Sequence, residues 1–444
     1  MIGKVIETNF SKDTRLQEVA DFEFSENPHE AQRIIVFPEY TYQEWLGFGG
    51  AFTESAGYTL SKMSPEKQEE MLNAYFGEQG INYSFCRNHI NSCDFSLGNY
   101  AYVEDENDDH FESFDISRDK QYIIPMIKRA QAISKEKIRF LASPWSPPAF
   151  MKDTKEMNRG GKLLPEYHKS WAKYIARYIK EYKNEGIEVS MLTIQNEPNA
   201  TQRWDSCTYT PEEESNFGVE YLVPTLKEEG LENLEVFFWD HNKDKVISRA
   251  EKVLKSEKAR EALAGIGFHW YSGDHFEQLR MFKEKYPDKK MIFTEGCIEK
   301  WKYKTPVKNA ETYAHDIIGN INNGLDAFID WNLFLDQEGG PNHVGNFCSA
   351  PIQGNTETDE IIYNPSYYYI GHFSKFIPSG SKRIGISKFS DQIETTAFLT
   401  PDNSRVVVVL NRSDSSCDFK LCEQEFYTEQ TISAHSIRTY IYKF

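Results

Sequence analysis

Residues 166–198 read EYHKSWAKYIARYIKEYKNEGIEVSMLTIQNEP. In the first half, Trp171, Tyr174, Ile175, Tyr178, Ile179 and Tyr182 recur at three- and four-residue spacing, which lays one apolar stripe along a helix. After a polar turn, residues 189–194 form a short apolar run that ends on Gln195-Asn196-Glu197-Pro198. A helix, a compact strand and a proline-stopped loop make one unit of the βαβ rhythm of a parallel sheet.

The unit repeats outward in both directions. Apolar runs at 45–49, 81–86 and 138–142 precede it, and runs at 235–240, 265–269, 291–294 and 326–331 follow, with helical patterns between them. Eight such strands predict an α/β fold, a closed (β/α)8 TIM barrel, for which about 250 residues are typical. An open doubly wound sheet is the competitor, but no GxGxxG turn follows the first run, which disfavours its dinucleotide-binding form. Past about residue 375 the rhythm changes. Runs at 393–399 and 406–410 are joined by the turn Pro401-Asp402-Asn403, and 431–442 is similarly β-rich. Residues 33–37 are strand-like as well. Residues 1–40 and 375–444 are therefore expected to build one antiparallel β-sandwich side domain, with the catalytic barrel over 41–374.

Composition narrows the partners. Lys and Arg number 50 against 68 Asp and Glu, a formal charge of −18, which argues against nucleic acid or an anionic membrane surface. The 14% of aromatic residues suits stacking on sugar rings, although core packing claims most aromatic side chains in any large domain. Seven scattered cysteines are not a disulfide framework, and without a CxxC pair or a Cys/His cluster no metal or other cofactor is expected. No run of about 18 apolar residues predicts a membrane span. The first residues lack an apolar signal region, so the expected location is cytoplasmic, or secreted if a leader was trimmed. Oligomeric state is not readable.

In (β/α)8 barrels the chemistry sits at the C-terminal ends of the strands. Strand four ends in Glu197 and strand seven in Glu295, so two carboxyl groups face one mouth. Glycosidic cleavage needs such a pair: the leaving oxygen must be protonated, and the oxocarbenium-like anomeric carbon needs a nucleophile or a stabilising charge. A separation of roughly 5–5.5 Å gives retention of configuration and about 6.5–9.5 Å gives inversion. Nearby negative charge is one way to keep the acid protonated. A single strand-end glutamate is as readily a solvated or ion-paired side chain. Spacing does not decide which of the two is the acid.

Nine stretches carry a resemblance: GFGGAFTE at 47–54, SCDFS at 92–96, LASPWS at 141–146, NEP at 196–198, HWY at 269–271, EGC at 295–297, DWNL at 330–333, EGGPN at 338–342 and GHFSKFIP at 371–378. In this order, over nearly the whole chain, they resemble glycoside hydrolase family thirty. That family includes glucosylceramidases, bacterial β-glucosidases and xylosidases, and fungal β-1,6-glucanases, and the likeness is greatest to its glucosylceramidase-like branch. The resemblance implies a barrel with a β side domain from both chain ends. It implies Glu197 as general acid/base and Glu295 as nucleophile. It places Asn196 on the sugar 2-hydroxyl, and Asp94, Trp145, Trp331 and Asn342 around the non-reducing sugar. Arg87, with a structural ion pair as its alternative, and Tyr271 are expected to support the carboxylates. His269 is as readily a core histidine. The loop 199–207 after Glu197 is shorter and more polar than a lipid-admitting mouth requires, which puts a ceramide aglycone in doubt and offers Trp204 for a second sugar or an aryl group. The expected activity is that of a retaining, exo-acting β-glucosidase acting on a β-linked glycoside or oligosaccharide. Alternatives within the family are an endo-β-1,6-glucanase, a β-xylosidase or a β-fucosidase. A carbohydrate-binding protein on an inactive barrel is the non-enzymatic alternative.

Overall fold

The structure, a computed structural model, describes residues 2–26, 30, 32–108 and 110–444; residues 1, 27–29 and 31 of the expected N-terminal segment lie outside them. Eight parallel strands close into a barrel in chain order: Gly47–Phe52, Phe85–Ile90, Arg139–Pro144, Val189–Thr193, Glu235–Asn242, Gly265–His269, Lys290–Glu295 and Ala327–Asn332. All eight expected runs lie at these strands. The second run is displaced: residues 81–84 approach the barrel without ladder pairing, and the strand starts at Phe85. Ile81 and Tyr83 are fully buried there, so apolarity alone placed the strand too early.

Side-chain alternation builds the barrel in layers. Phe85, Leu141, Met191, Phe237, Ile292 and Ala327 fill its interior, while neighbours such as Phe140, Leu192, Phe293 and Phe328 face the surrounding helices. Two residues further along strands two, three and four, the same inward face turns polar with Arg87, Ser143 and Thr193, all buried. The apolar plug is thus the floor on which a polar layer rests. The helix expected after Glu166 spans His168–Asn184 and buries Trp171, Tyr174, Ile175, Tyr178, Ile179 and Tyr182 against the barrel.

The side domain is one ten-stranded sheet folded over its own core of Val5, Ile34, Val36, Val407, Val409, Phe419 and Tyr440. Its N-terminal strand Ile2–Asn9 pairs with the C-terminal strand Ser436–Tyr442, so both chain ends build it. Strand pairing is antiparallel except between Lys420–Glu423 and Arg33–Val36. The expected single run 431–442 is two strands, Phe426–Ile432 and Ser436–Tyr442, broken at His435, whose φ is 47°. The expected boundary at residue 40 falls inside the strand Arg33–Glu44, which stays paired with the side domain as far as Glu44 opposite Lys382. A buried histidine clamps the two domains. His372, in the helix Pro365–Ser374, lies 2.8 Å from the Thr439 hydroxyl and 2.9 Å from that of Thr8, and burial lowers its pKa to about 3, which keeps it neutral. Among the described residues, no helix is long and apolar enough to cross a membrane.

Gly49 shows how tightly the barrel closes. A Cβ at this position would stand 1.6 Å from the Phe85 carbonyl oxygen on the adjacent strand. Gly49→Ala is expected to destabilise the fold by roughly 4 kcal/mol or more, because only backbone movement relieves the clash. Thermal or denaturant unfolding of the variant measures this; a melting curve like that of the wild type would contradict it.

Candidate active site

Arg87 organises the mouth of the barrel. It is fully buried and uses its whole guanidinium: Nε donates to Ser143 Oγ at 3.0 Å, Nη1 to Glu295 Oε2 at 2.9 Å and to the Thr294 carbonyl at 3.2 Å, and Nη2 to Asp240 Oδ2 and Asn196 Oδ1, both at 2.8 Å. A planar fork with five donors can hold groups from strands three, four, five and seven in one plane, which a lysine cannot do. The indole rings of Trp145 and Trp331, stacked on each other at 5.2 Å, lie 4.6 and 5.6 Å from the guanidinium carbon.

Glu197 reaches this layer through a strained turn. Its φ is 47°, in the left-handed region that non-glycine residues seldom occupy, and its amide donates to the Asp240 carbonyl at 3.0 Å. Trp239 and Asp240 also have positive φ, at 72° and 50°. The strain lies where strands four and five deliver their functional groups.

The two glutamates meet. One carboxylate oxygen of each, together with a ring nitrogen of His269, all lie within 4.8 Å of one another. That trio has the spacing of a cation site, yet Arg87 and His269 already bring positive charge to it. Glu295 also accepts from the Tyr271 hydroxyl at 3.0 Å. Glu197 accepts from Gln202 Nε2 at 2.9 Å and has His269 Nδ1 3.3 Å away, while the other nitrogen of His269 is 3.1 Å from Asp240.

These contacts determine where the protons sit. Burial disfavours the His269 cation, but the charges of Glu295, Asp240 and Glu197 raise its pKa to about 9, so the ring is an imidazolium at neutral pH. Burial also pushes Glu197 up, and the imidazoles His241 and His269 pull it down; burial lowers the pKa of His241 as well, so His269 is the neighbour whose charge holds the carboxyl below its ordinary range at neutral pH. Glu295 is shifted up by burial and by the Glu197 charge, against the pull of His269 and Arg87. Negative charge from Glu295 is at hand, but the two imidazoles beside Glu197 act in the opposite direction. The carboxylates and His269 titrate as a unit. Glu197 faces an imidazole whose proton can move across 3.3 Å, whereas Arg87 cannot give up its charge, so its pull on Glu295 persists in every protonation state of the site.

Around this centre lie the remaining expected residues. Asp94 follows strand two and accepts from Asn342 Nδ2 at 3.4 Å and Asn346 Nδ2 at 3.3 Å; burial and the Glu295 charge push its carboxyl up. Asn342 belongs to the loop after strand eight, and the His343 amide of that loop donates to the Asp94 carbonyl at 3.3 Å. Glu197, Glu295, Asn196, Arg87, His269 and Tyr271 thus converge on one centre, with Trp145 and Trp331 beside Arg87 and Asp94 tied to Asn342. Trp45, Trp171 and Trp239, by contrast, are core. The sequence reading missed Asp240, which accepts from Arg87, from Thr193 Oγ1 at 2.6 Å and from Thr294 Oγ1 at 2.5 Å. It also missed Gln202 and His241. The strand-end rule applied to strand five points to Asp240; nothing local points to Gln202.

The profile described as glycosyl hydrolase family 30 TIM-barrel domain matches residues 45–377, and the family 30 beta sandwich domain matches residues 380–440. The chain belongs to glycosyl hydrolase family 30. It is accordingly a retaining β-glycoside hydrolase. Among family 30 relatives, lysosomal acid glucosylceramidase of Mus musculus is 32% identical over 433 residues, covering 92% of this chain and 83% of the relative. The crystal structure of SrfJ from Salmonella typhimurium matches with a TM-score of 0.97 and 39% identity over 100% of both chains. The endo-beta1,6-glucanase BT3312 matches with a TM-score of 0.90 and 28% identity, covering 100% of this chain and 99% of its own.

Arg87→Leu keeps a side chain of moderate bulk and removes the charge shared by Asp240 and Glu295. The expected loss is about 3–5 kcal/mol, because two buried carboxylates lose their cation. Denaturant unfolding checks it; a loss of under about 1 kcal/mol would mean that the guanidinium does not hold the site together.

Proposed function

We propose that the protein releases single β-linked glucose units from the non-reducing end of its substrate, with Glu295 as nucleophile and Glu197 as acid/base. The observation that carries the two residue roles is the approach of the carboxylates to within 4.8 Å, with the permanent charge of Arg87 on Glu295 and not on Glu197. A contact this short is the spacing of direct displacement rather than of a carboxylate that must leave room for water. A Glu295 oxygen bonds to the anomeric carbon as the bond to the leaving oxygen breaks, and that oxygen takes the Glu197 proton. Water then attacks the same carbon, Glu197 takes a proton from it, and Glu295 is freed. Asn196 turns its carbonyl to Arg87, which leaves its NH2 for the sugar 2-hydroxyl.

The loop after strand eight supports exo action. Asn342 and Asn346 close onto Asp94, the residue expected to hold the non-reducing sugar, and a loop drawn in on that side favours a glycone pocket for a terminal unit. The whole-chain likeness to an endo-β-1,6-glucanase favours a second reading, internal cleavage of a 1,6-linked glucan. Product analysis separates the two: exo action on β-1,6-glucan and on 4-nitrophenyl β-glucoside liberates glucose from the first turnovers, whereas early oligosaccharides from the polymer would favour the endo reading.

The residue roles have their own test. Glu295→Ala is expected to lose turnover and, with azide, to form a glycosyl azide of inverted configuration. Glu197→Ala is expected to slow formation of the glycosyl-enzyme by about 10²–10⁴-fold on poor leaving groups while sparing activated aryl glycosides. Equal slowing for both leaving groups, in pre-steady-state measurements, would remove Glu197 from the acid role.

A further inference from the structure

His343 directly follows the EGGPN stretch, on the loop after strand eight, between the two asparagines that reach Asp94. Its amide donates to the Asp94 carbonyl at 3.3 Å, which lays the loop against the one after strand two. Its side chain reaches further. Nδ1 lies 3.2 Å from the Ser96 carbonyl oxygen, again after strand two, and Nε2 lies 3.5 Å from Asp205 Oδ2, in the loop after strand four. Strands four and eight stand opposite each other on the ring of eight, so one imidazole ties loops from both sides of the barrel mouth.

Two observations give this tie a role beyond packing. The first is that Asp205 is a fixed post with one unmet atom. Its side chain is fully buried, its Oδ1 accepts from Ser92 Oγ at 2.5 Å and from Asn99 Nδ2 at 2.8 Å, and its backbone bridges to Asn158. Its Oδ2 has no hydrogen-bond partner among the described residues, and neither has His343 Nε2, which faces it. A buried carboxylate oxygen without a hydrogen bond is costly, so the contact with His343 is the one that relieves it.

The second is what the tied loop carries. Asn342 Oδ1 accepts from the Val344 and Asn346 amides at 3.0 and 3.1 Å, which curls residues 342–346 into a compact turn around His343. The side-chain amides of Asn342 and Asn346 both donate to Asp94 Oδ2, which leaves Oδ1 for a sugar hydroxyl. A binding group must be held to within about 0.5 Å of its working position by the residues behind it. We infer that His343 is a positioning residue for the sugar on the non-reducing side: its contact with Asp205 pins the loop after strand eight, and that loop sets the place of the Asp94 carboxylate. The inference rests on the β-glucosidase reading above, with Asp94 as a ligand of that sugar.

The test is steady-state kinetics on 4-nitrophenyl β-glucoside, with free glucose as the inhibitor that fills only the sugar subsite. His343→Ala is expected to raise KM and the glucose inhibition constant together by about fivefold or more, with kcat within about twofold, because neither glutamate is touched. Both constants are independent of the fraction of enzyme that is folded. Two conservative variants separate the contacts. His343→Gln places an amide where Nε2 stood and keeps a donor for Asp205, and it is expected to recover most of the wild-type KM. His343→Asn places the amide where Nδ1 stood, keeps only the Ser96 contact, and is expected to behave as His343→Ala. In an Asp205→Ala background, His343→Ala is expected to add less than about twofold to KM, since its partner is gone. A fall in kcat at unchanged KM, a glucose inhibition constant that stays in place, equal KM for the Gln and Asn variants, or a full further loss in the Asp205→Ala background would each overturn the inference. The β-glucosidase reading fails separately, by absence of wild-type activity on the aryl glucoside.

Discussion

The polar layer of this barrel depends on one cation buried between carboxylates. Arg87 has no water to solvate it, so its five N–H groups must all be met by protein, and the groups that meet them come from four other parts of the barrel rim. That requirement determines the positions of Ser143, Asn196, Asp240 and Glu295 together. It also places the charge asymmetrically: Glu295 touches a group that cannot lose its proton, whereas Glu197 touches groups that can. Two identical side chains thereby acquire different chemistry.

The proton balance follows from this asymmetry. Asp240 anchors one nitrogen of His269 and Glu197 faces the other, so the ring stands between a permanent anion and a titrating one. The carboxylates around it push His269 toward its protonated form, and the imidazoles push Glu197 toward its ionised form. The strained turns at Glu197 and Asp240 serve the same layout, since relaxed backbone at either position would aim its carboxylate elsewhere.

Among the described residues, the side domain contributes none to this polar layer. Its role is to cover the barrel through contacts such as His372 between Thr8 and Thr439. The GHFSKFIP stretch that helps to mark the family therefore reports an interface, and sequence similarity by itself does not separate such positions from catalytic ones. The tryptophans divide in the same way: Trp45, Trp171 and Trp239 fill the core, whereas Trp145 and Trp331 stack beside the site.

The architecture was legible in the chain because it is carried by local pattern: eight apolar runs of strand length, helices with one apolar stripe, and a change of rhythm near residue 375. The two glutamates were legible because a strand-end position is a local property as well. The start of strand two was not, since Ile81 and Tyr83 are as buried as any strand residue although their backbone pairs with nothing in a ladder. Asp240, Gln202 and His241 were also not read, because each depends on which groups the fold brings to it. The sequence by itself determined a barrel with two carboxylates at its rim. Only the tertiary structure decided which of them faces a permanent cation and which a proton donor, because a charge preference in a buried site comes from partners brought together across the barrel and not from neighbours along the chain.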